Sequence, residues 1–260
     1  MSITTLQPTS TAVRTISATL NRIRIGKDWP LLPLAILVPF VLIAVFANVI
    51  APYDPTEPIP GAKIFEPPSW APGGSMHALL GTDYQSRDVL SRLLFGARVS
   101  LIVGVTGTLV AGSIGTTLGM LAGYVGGWVD QVIMRVTDAW LALPAIVFAI
   151  FLATMVGPSM WNIVIILGAV YWTRYTRVIR GEVLSLRERE FVKLAEIAGA
   201  SRTRIIMRHI LPNVMNSVMV LASLTIGVVI IAEASLSFLG VGVPPPQPAW
   251  GSMLADGRSM

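Results

Sequence analysis

Long stretches without a charged residue are the feature that most constrains this chain. Residues 31–50 are twenty uncharged positions in a row, and residues 99–129 contain no charge either. An α-helix rises 1.5 Å per residue, so about twenty apolar residues cross the roughly 30 Å hydrocarbon core of a bilayer. Only 13% of the chain is charged, whereas an ordinary soluble domain carries about 25%. The sequence therefore predicts an all-α membrane protein.

Five candidate spans follow from the uncharged stretches. The first stretch is longer than the roughly 7–15 apolar residues of a secretory signal, so we expect it to be retained. The fourth is short, although aromatic residues near its end suit a membrane interface. The predicted spans are residues 31–50, a span within 99–129, residues 139–156, residues 161–172 and residues 211–232.

Cationic residues predict the orientation. Four of them precede the first span, and nine lie between the fourth and fifth spans, so both segments are expected in the cytoplasm. An even number of spans separates the two segments, which makes the topology self-consistent. The predicted division is a cytoplasmic N-terminal tail at 1–28, a first transmembrane helix with an extracytoplasmic loop at 29–97, and a transmembrane core at 98–260.

Composition and motifs exclude several functions. The chain has no cysteine and two histidines far apart, which argues against disulfides, thiol nucleophiles and most zinc sites. The net charge of +5 is concentrated in two blocks, so we expect no nucleic-acid partner. The sole Gly-Lys pair, Gly26-Lys27, precedes Asp28 and does not form a phosphate-binding loop. We therefore expect no catalytic residue, metal or cofactor in this chain.

Small residues recur every four positions in the second span. Gly115, Gly119 and Gly123 are the centre of this series. Such a face lets a second helix approach closely, and packing of this kind drives helix association in lipid. Packing inside the chain is the favoured interpretation, with contact to a partner helix as the alternative.

A charged segment at about 180–212 separates the fourth and fifth spans. It predicts two short helices joined by a turn, in which Gly199 ends the first helix and Ser201 caps the second. An apolar stripe on the first helix needs a surface to dock into, either a protein groove or anionic lipid, and the turn chemistry favours protein. The stripe consists of Phe191, Leu194, Ala195 and Ala198.

This segment resembles the EAA loop of ABC importer permeases. Ala195, Gly199, Leu211 and Pro212 match that pattern, while Lys193 and Leu194 replace its first two residues and His209 replaces an isoleucine. Residues 80–101, 122–144 and 233–254 are similar to the peptide and nickel type of these permeases. The resemblance assigns ATPase coupling to Lys193, Leu194, Ala195, Glu196, Gly199, Ala200, Ser201, Leu211 and Pro212.

The resemblance implies a type I ABC importer permease fold in the bacterial inner membrane. A sixth span is expected after the five seen here, so we expect further sequence beyond Met260. The implied function is alternating-access import of di- or oligopeptides, with nickel, glutathione or another small solute as the alternative. The implied partners are a homologous permease, two ATPase subunits that bind ATP and Mg, an extracytoplasmic solute-binding protein and the lipid bilayer. An ATP-independent transporter or channel, or a membrane scaffold, is the rival from another class.

Three further predictions concern charged and aromatic residues. Glu233, with Ser235 and Ser237, is a candidate for the translocation path, and a structural role for Glu233 is the alternative. Asp130, Arg135 and Asp138 have helical spacing and predict a local ion-pair network. Trp250 and the prolines before it predict either a ledge for the solute-binding protein or a simple rigid loop.

Overall fold

The computed structural model describes residues 31–258, and the predicted tail at 1–28 lies outside that range. The prediction of an all-α protein is confirmed across the described range, where one isolated bridge joins Thr82 and Asp88. The helices are α1 (Leu31–Ile50), α2 (Val89–Val125), α3 (Gly127–Leu141), α4 (Ala145–Val156), α5 (Met160–Arg187), α6 (Glu190–Ile197), α7 (Arg202–Ile205), α8 (Leu211–Phe238) and α9 (Trp250–Gly257), with a π-helical turn at Ile206–Ile210 between α7 and α8.

The described chain divides into two units, the first ending at Leu42 and the second beginning at Ile43. The described part of the first unit is the apolar beginning of α1, in which Leu32 is 76% exposed. The second unit holds the helices from α2 onward. Side chains this apolar and this exposed require a lipid surface around them.

Three helical segments of the described chain are long and apolar enough to cross a membrane. They are Leu31–Ile50, Val89–Val125 and Arg202–Phe238, and the bent pair α3 and α4 makes a fourth if it counts as one span. The charged helix α5 continues for 28 residues to Arg187, well beyond the short span predicted at 161–172. Five spans in this chain therefore remain a prediction.

The span predicted at 139–156 is not a single straight helix in the structure. The chain breaks after Leu141 and bends by 90° before Ala145. Pro144 occupies the N-cap position of α4, where its missing N–H removes no helical hydrogen bond, whereas inside a continuous helix its ring would clash with an earlier carbonyl. The proline thus divides this segment into two helices.

Helix α2 packs most extensively against α5, and this contact forms the centre of the second unit. A Cβ added at Gly115 would lie 2.2 Å from the Trp172 carbonyl oxygen, and one added at Gly123 would lie 2.9 Å from the Arg180 carbonyl oxygen. The glycine face of α2 therefore lies directly on the backbone of α5, inside the same chain. Helix α8 packs against both helices.

A buried ionic network holds the start of α2 to the segment before it. Asp83 accepts hydrogen bonds from the Arg87 N–H at 2.9 Å and from Arg87 Nε at 2.7 Å, and it also contacts Arg92. Burial alone would raise the pKa of Asp83, but the Arg87 and Gln85 N–H groups and the two arginines hold that pKa below its usual value. Asp83 is therefore a carboxylate at neutral pH.

Exchanging glycine for alanine tests the helix contact. A Cβ added at Gly119 would lie 2.9 Å from the Thr176 carbonyl oxygen, so we expect Gly119→Ala to destabilise the protein by about 1–3 kcal/mol through overpacking. Thermal unfolding in detergent measures the effect. Gly181→Ala, also inside a helix but with open space at its Cβ, is the matched control and should unfold at the parental temperature or above. Equal melting temperatures for the two variants would contradict this packing.

Candidate coupling site and translocation path

The segment between α5 and α8 is a helix, a tight turn and a second short helix. Gly199 has a φ of +78°, a conformation that glycine adopts without strain, and it ends α6 with its N–H bonded to the Glu196 carbonyl at 3.0 Å. Ser201 Oγ accepts from the Arg204 N–H at 3.4 Å at the start of α7. The turn therefore contains the predicted helix stop at Gly199 and the predicted helix cap at Ser201. We refer to residues 188–212 as the coupling loop.

One face of α6 is buried against the ends of three long helices. Val192 is fully buried, and Ala195 packs beside it. The sequence stripe did not include Val192, although Val192 and Ala195 have the i, i+3 spacing of a helix face. The buried cluster around them consists of Met120 and Tyr124 of α2, Ile179 and Val183 of α5, Ile205, Ile210 and Val214.

The opposite face of α6 displays apolar side chains to the outside. Leu194 is 64% exposed and Ile197 is 83% exposed, and Phe191 and Ala198 are exposed as well. Ile197 was absent from the predicted stripe, and Ala195 lies on the buried side. Exposed residues of this kind on a charged helix form a surface suited to a protein partner.

The remaining predicted coupling residues lie around this helix. Lys193 Nζ pairs with Glu188 at 2.9 Å, and its hydrogen bond and charge lower the pKa of that carboxyl. Glu196 accepts a hydrogen bond from the Tyr124 hydroxyl at 3.0 Å. Ala200 and Leu211 are half-buried at the edge of the cluster, and Pro212 lies in the first turn of α8. The structure therefore brings the predicted coupling residues together at one end of the helix bundle.

Ion pairs attach α3 to α5 near the coupling loop. Arg180 holds Asp130 through two hydrogen bonds, of which the one from Nη2 is 2.6 Å, and Arg177 Nη2 donates to Asp138 at 2.6 Å. The local network predicted with Arg135 is wrong, because both aspartates pair with a neighbouring helix instead. The pairing accounts for two of the arginines of α5.

Glu233 is enclosed between helices. Its side chain is fully buried, Ser100 Oγ donates to it at 3.2 Å, and Ser237 Oγ donates at 2.7 Å. Ser237 Oγ in turn accepts from the Val243 N–H at 3.2 Å, so the carboxyl group ties α2, α8 and the following loop together. Ser235 bonds to the Ile231 carbonyl of its own helix. These hydrogen bonds give Glu233 a structural role in this conformation.

Trp250 is packed against the start of α2. Its indole N–H donates to the Leu93 carbonyl at 3.0 Å, and a Cβ on Gly96 would approach its ring to 2.6 Å. Arg92 also lies 3.4 Å from Asp256 of α9. These contacts hold α9 on α2. They favour the second of the two predicted roles for this segment, a rigid loop.

A groove of about 590 Å³ opens between α2 and α8 on the side of the coupling loop. Its wall is mostly apolar and carries hydroxyl groups and flexible methionine side chains. The residues that supply them include Ser113, Thr117, Thr203, Met207 and Met215. Sequence reasoning missed the groove, because its residues come from separate segments of the chain.

Comparison with known proteins identifies the family. Residues 115–259 match the family described as "Binding-protein-dependent transport system inner membrane component". The chain is 41% identical over 219 residues to the glutathione transport system permease protein GsiD of Pectobacterium atrosepticum, an alignment covering 84% of this chain and 71% of the relative. The chain belongs to this family of inner-membrane permeases. The predicted resemblance to ABC importer permeases is thus confirmed.

Two further relatives extend the comparison. The permease is 41% identical over 228 residues to the dipeptide transport system permease protein DppC of Alkalihalophilus pseudofirmus, covering 86% of this chain and 72% of the relative. It is 40% identical over 218 residues to the di/tripeptide transport system permease protein DppC of Pseudomonas aeruginosa, covering 84% and 72%. The family match includes the coupling loop and both partners of the Glu233–Ser237 bond.

Variants of Glu233 separate a structural role from a binding role. Glu233→Gln keeps an acceptor oxygen for Ser237 and presents an amide N–H that the Ser100 hydroxyl can accept. We therefore expect stability near the parental value and an unchanged preference between cationic and neutral solutes. Glu233→Leu leaves both hydroxyls without an acceptor and should destabilise the protein by about 1–3 kcal/mol. Thermal unfolding and competition uptake assays measure both effects. A changed preference between cationic and neutral solutes in Glu233→Gln would contradict the structural role.

Proposed function

We propose that this permease forms half of the translocation path of an ATP-driven importer for di- or oligopeptides. Named relatives transport dipeptides, di- and tripeptides or glutathione, which are all short compounds with amide bonds. Solutes of that class are therefore the proposed cargo of this chain. The permease chain itself performs no hydrolysis in this proposal.

The exposed apolar face of α6 is the observation that carries the proposal. Leu194 and Ile197 extend from a charged helix whose other face is anchored in the cluster around Val192. A helix with one anchored and one exposed apolar face is suited to insertion into a groove of a second protein. We propose that this second protein is an ATPase subunit, which binds the ATP and Mg.

The proposed topology follows from the coupling loop. If the loop meets an ATPase, it lies in the cytoplasm, and the positive charges around it support that side. The four crossings predicted before the loop would place the N-terminus in the cytoplasm as well. A sixth span beyond the present sequence, a homologous permease, a second ATPase subunit and an extracytoplasmic solute-binding protein complete the proposed complex.

The groove between α2 and α8 is the proposed passage on the cytoplasmic side. Hydroxyls such as those of Ser113 and Thr203 can form hydrogen bonds with a peptide backbone. Such bonds do not discriminate between peptides with different side chains. Methionines such as Met207 and Met215 adapt to side chains of different shape. On the other side of the membrane, we propose that Glu233 and Ser237 shape the path by fixing the loop after α8, while Ser235 remains a candidate lining residue.

A variant at the turn tests coupling. Gly199→Ala places a side chain in the left-handed region at a strain of about 1–2 kcal/mol, which should tilt α6 relative to α7. In vesicles containing the complete complex, we expect solute uptake to fall severalfold while ATP hydrolysis continues and membrane insertion is unchanged. The space around a Cβ at Gly199 is open. The expected loss of uptake therefore comes from backbone strain, because the new methyl group would not clash with any other residue in the described part of this chain.

Gly181→Ala is the matched control, because that glycine lies in α5 and also has open space around its Cβ. It should transport like the parent protein. Normal ATP-coupled uptake by Gly199→Ala would contradict the coupling role of the turn. Uptake by the parent chain without any ATPase subunit would contradict the importer class and favour a secondary transporter.

A further inference from the structure

A single polar side-chain bond connects α6 to a long helix in the part of the chain that the structure describes. The Tyr124 hydroxyl donates to Glu196 Oε1 at 3.0 Å. Tyr124 is the penultimate residue of α2 and is 6% exposed. Its ring therefore belongs to the buried cluster under the coupling loop, while its hydroxyl reaches the exposed carboxylate of α6.

The Tyr124–Glu196 hydrogen bond is directional, whereas the apolar contact of α6 with the bundle is not. Val192 anchors α6 by apolar burial, which is non-directional and would allow the helix to rotate or slide on the cluster. A hydrogen bond weakens steeply when its angle changes. Val192 therefore holds α6 against the bundle, and the Tyr124–Glu196 bond sets which face of α6 points outward.

The end of α2 is itself rigidly attached to α5. A Cβ on Gly123, one residue before Tyr124, would lie 2.8 Å from Val183 Cβ. The Arg180–Asp130 pair fixes the following helix α3 to the same part of α5. A displacement of Tyr124 therefore moves α2 and α5 together.

Other charged residues of α6 do not provide such a link. Lys193 pairs with Glu188 at 2.9 Å, a residue that precedes α6 in the same loop. Glu190 is exposed at the first turn of the helix. Glu196 is the α6 carboxylate with a hydrogen bond to α2 among the described residues.

We infer that Tyr124 is a positioning residue for energy coupling, whose hydroxyl holds Glu196 and transmits movement of the coupling loop to the paired helices α2 and α5. The inference rests on the proposed function, since an ATPase subunit supplies the movement. Tyr124 touches neither solute nor nucleotide in this role. Its loss affects the number of ATP molecules hydrolysed per solute imported.

The test is the complete complex in proteoliposomes with the solute-binding protein and a dipeptide, with ATP hydrolysis and dipeptide uptake measured in parallel. Tyr124→Phe removes only the hydroxyl. We expect uptake to fall about three- to tenfold, the range that the loss of one hydrogen bond allows, with hydrolysis near the parental rate. Glu196→Ala should give the same increase in ATP per dipeptide, and Glu196→Gln, which keeps an acceptor oxygen, should restore the parental ratio.

The double variant Tyr124→Phe with Glu196→Ala should be no worse than either single variant, because both remove the same interaction. Tyr84→Phe removes the hydroxyl of an exposed tyrosine outside the coupling loop and should leave the ratio unchanged. A parental ratio in Tyr124→Phe, or a parallel fall of uptake and hydrolysis, would overturn the inference. Absence of ATP-dependent uptake in the parent complex would instead overturn the proposed function.

Discussion

The backbone contact between α2 and α5 is the interaction on which the rest of the structure depends. Glycines at four-residue spacing bring the two helices so close that added Cβ atoms would overlap carbonyl oxygens of α5. In lipid, where apolar burial gives little preference for one helix neighbour over another, this packing determines which helices pair. One end of the pair supports the cluster under the coupling loop, and α9 packs near the start of α2 at the other.

In the proposed complex, this arrangement connects the ATPase-binding face of α6 to the long helices. The coupling loop is attached to the ends of α2, α5 and α8 by the cluster around Val192. Interfaces that are packed this tightly move as units instead of deforming gradually. A force on α6 is therefore expected to shift several long helices at once, which is the kind of motion that alternating access requires.

The sequence predicted much of the fold because the relevant signals are local. Uncharged stretches located α1, α2 and α8, while Gly199 and Ser201 located the turn of the coupling loop through backbone rules that act within a few residues. The predictions failed where the outcome depends on distant residues. The partners of Asp130 and Asp138 are arginines about 40 to 50 positions away, and hydropathy did not reveal that Pro144 divides a span. Val192 and Glu233 are buried because distant helices pack against them. A local sequence pattern carries no information on which helices become neighbours.

Cross-linking from the exposed face of α6 tests the central claim most directly. The chain has no native cysteine, so Ile197→Cys introduces a single reactive site at a side chain that is 83% exposed. A photoactivatable thiol reagent at that position, in membranes containing the assembled complex, should attach this chain to an ATPase subunit, and addition of nucleotide should change the yield. Attachment only to lipid, with no cross-link to an ATPase, would contradict the account.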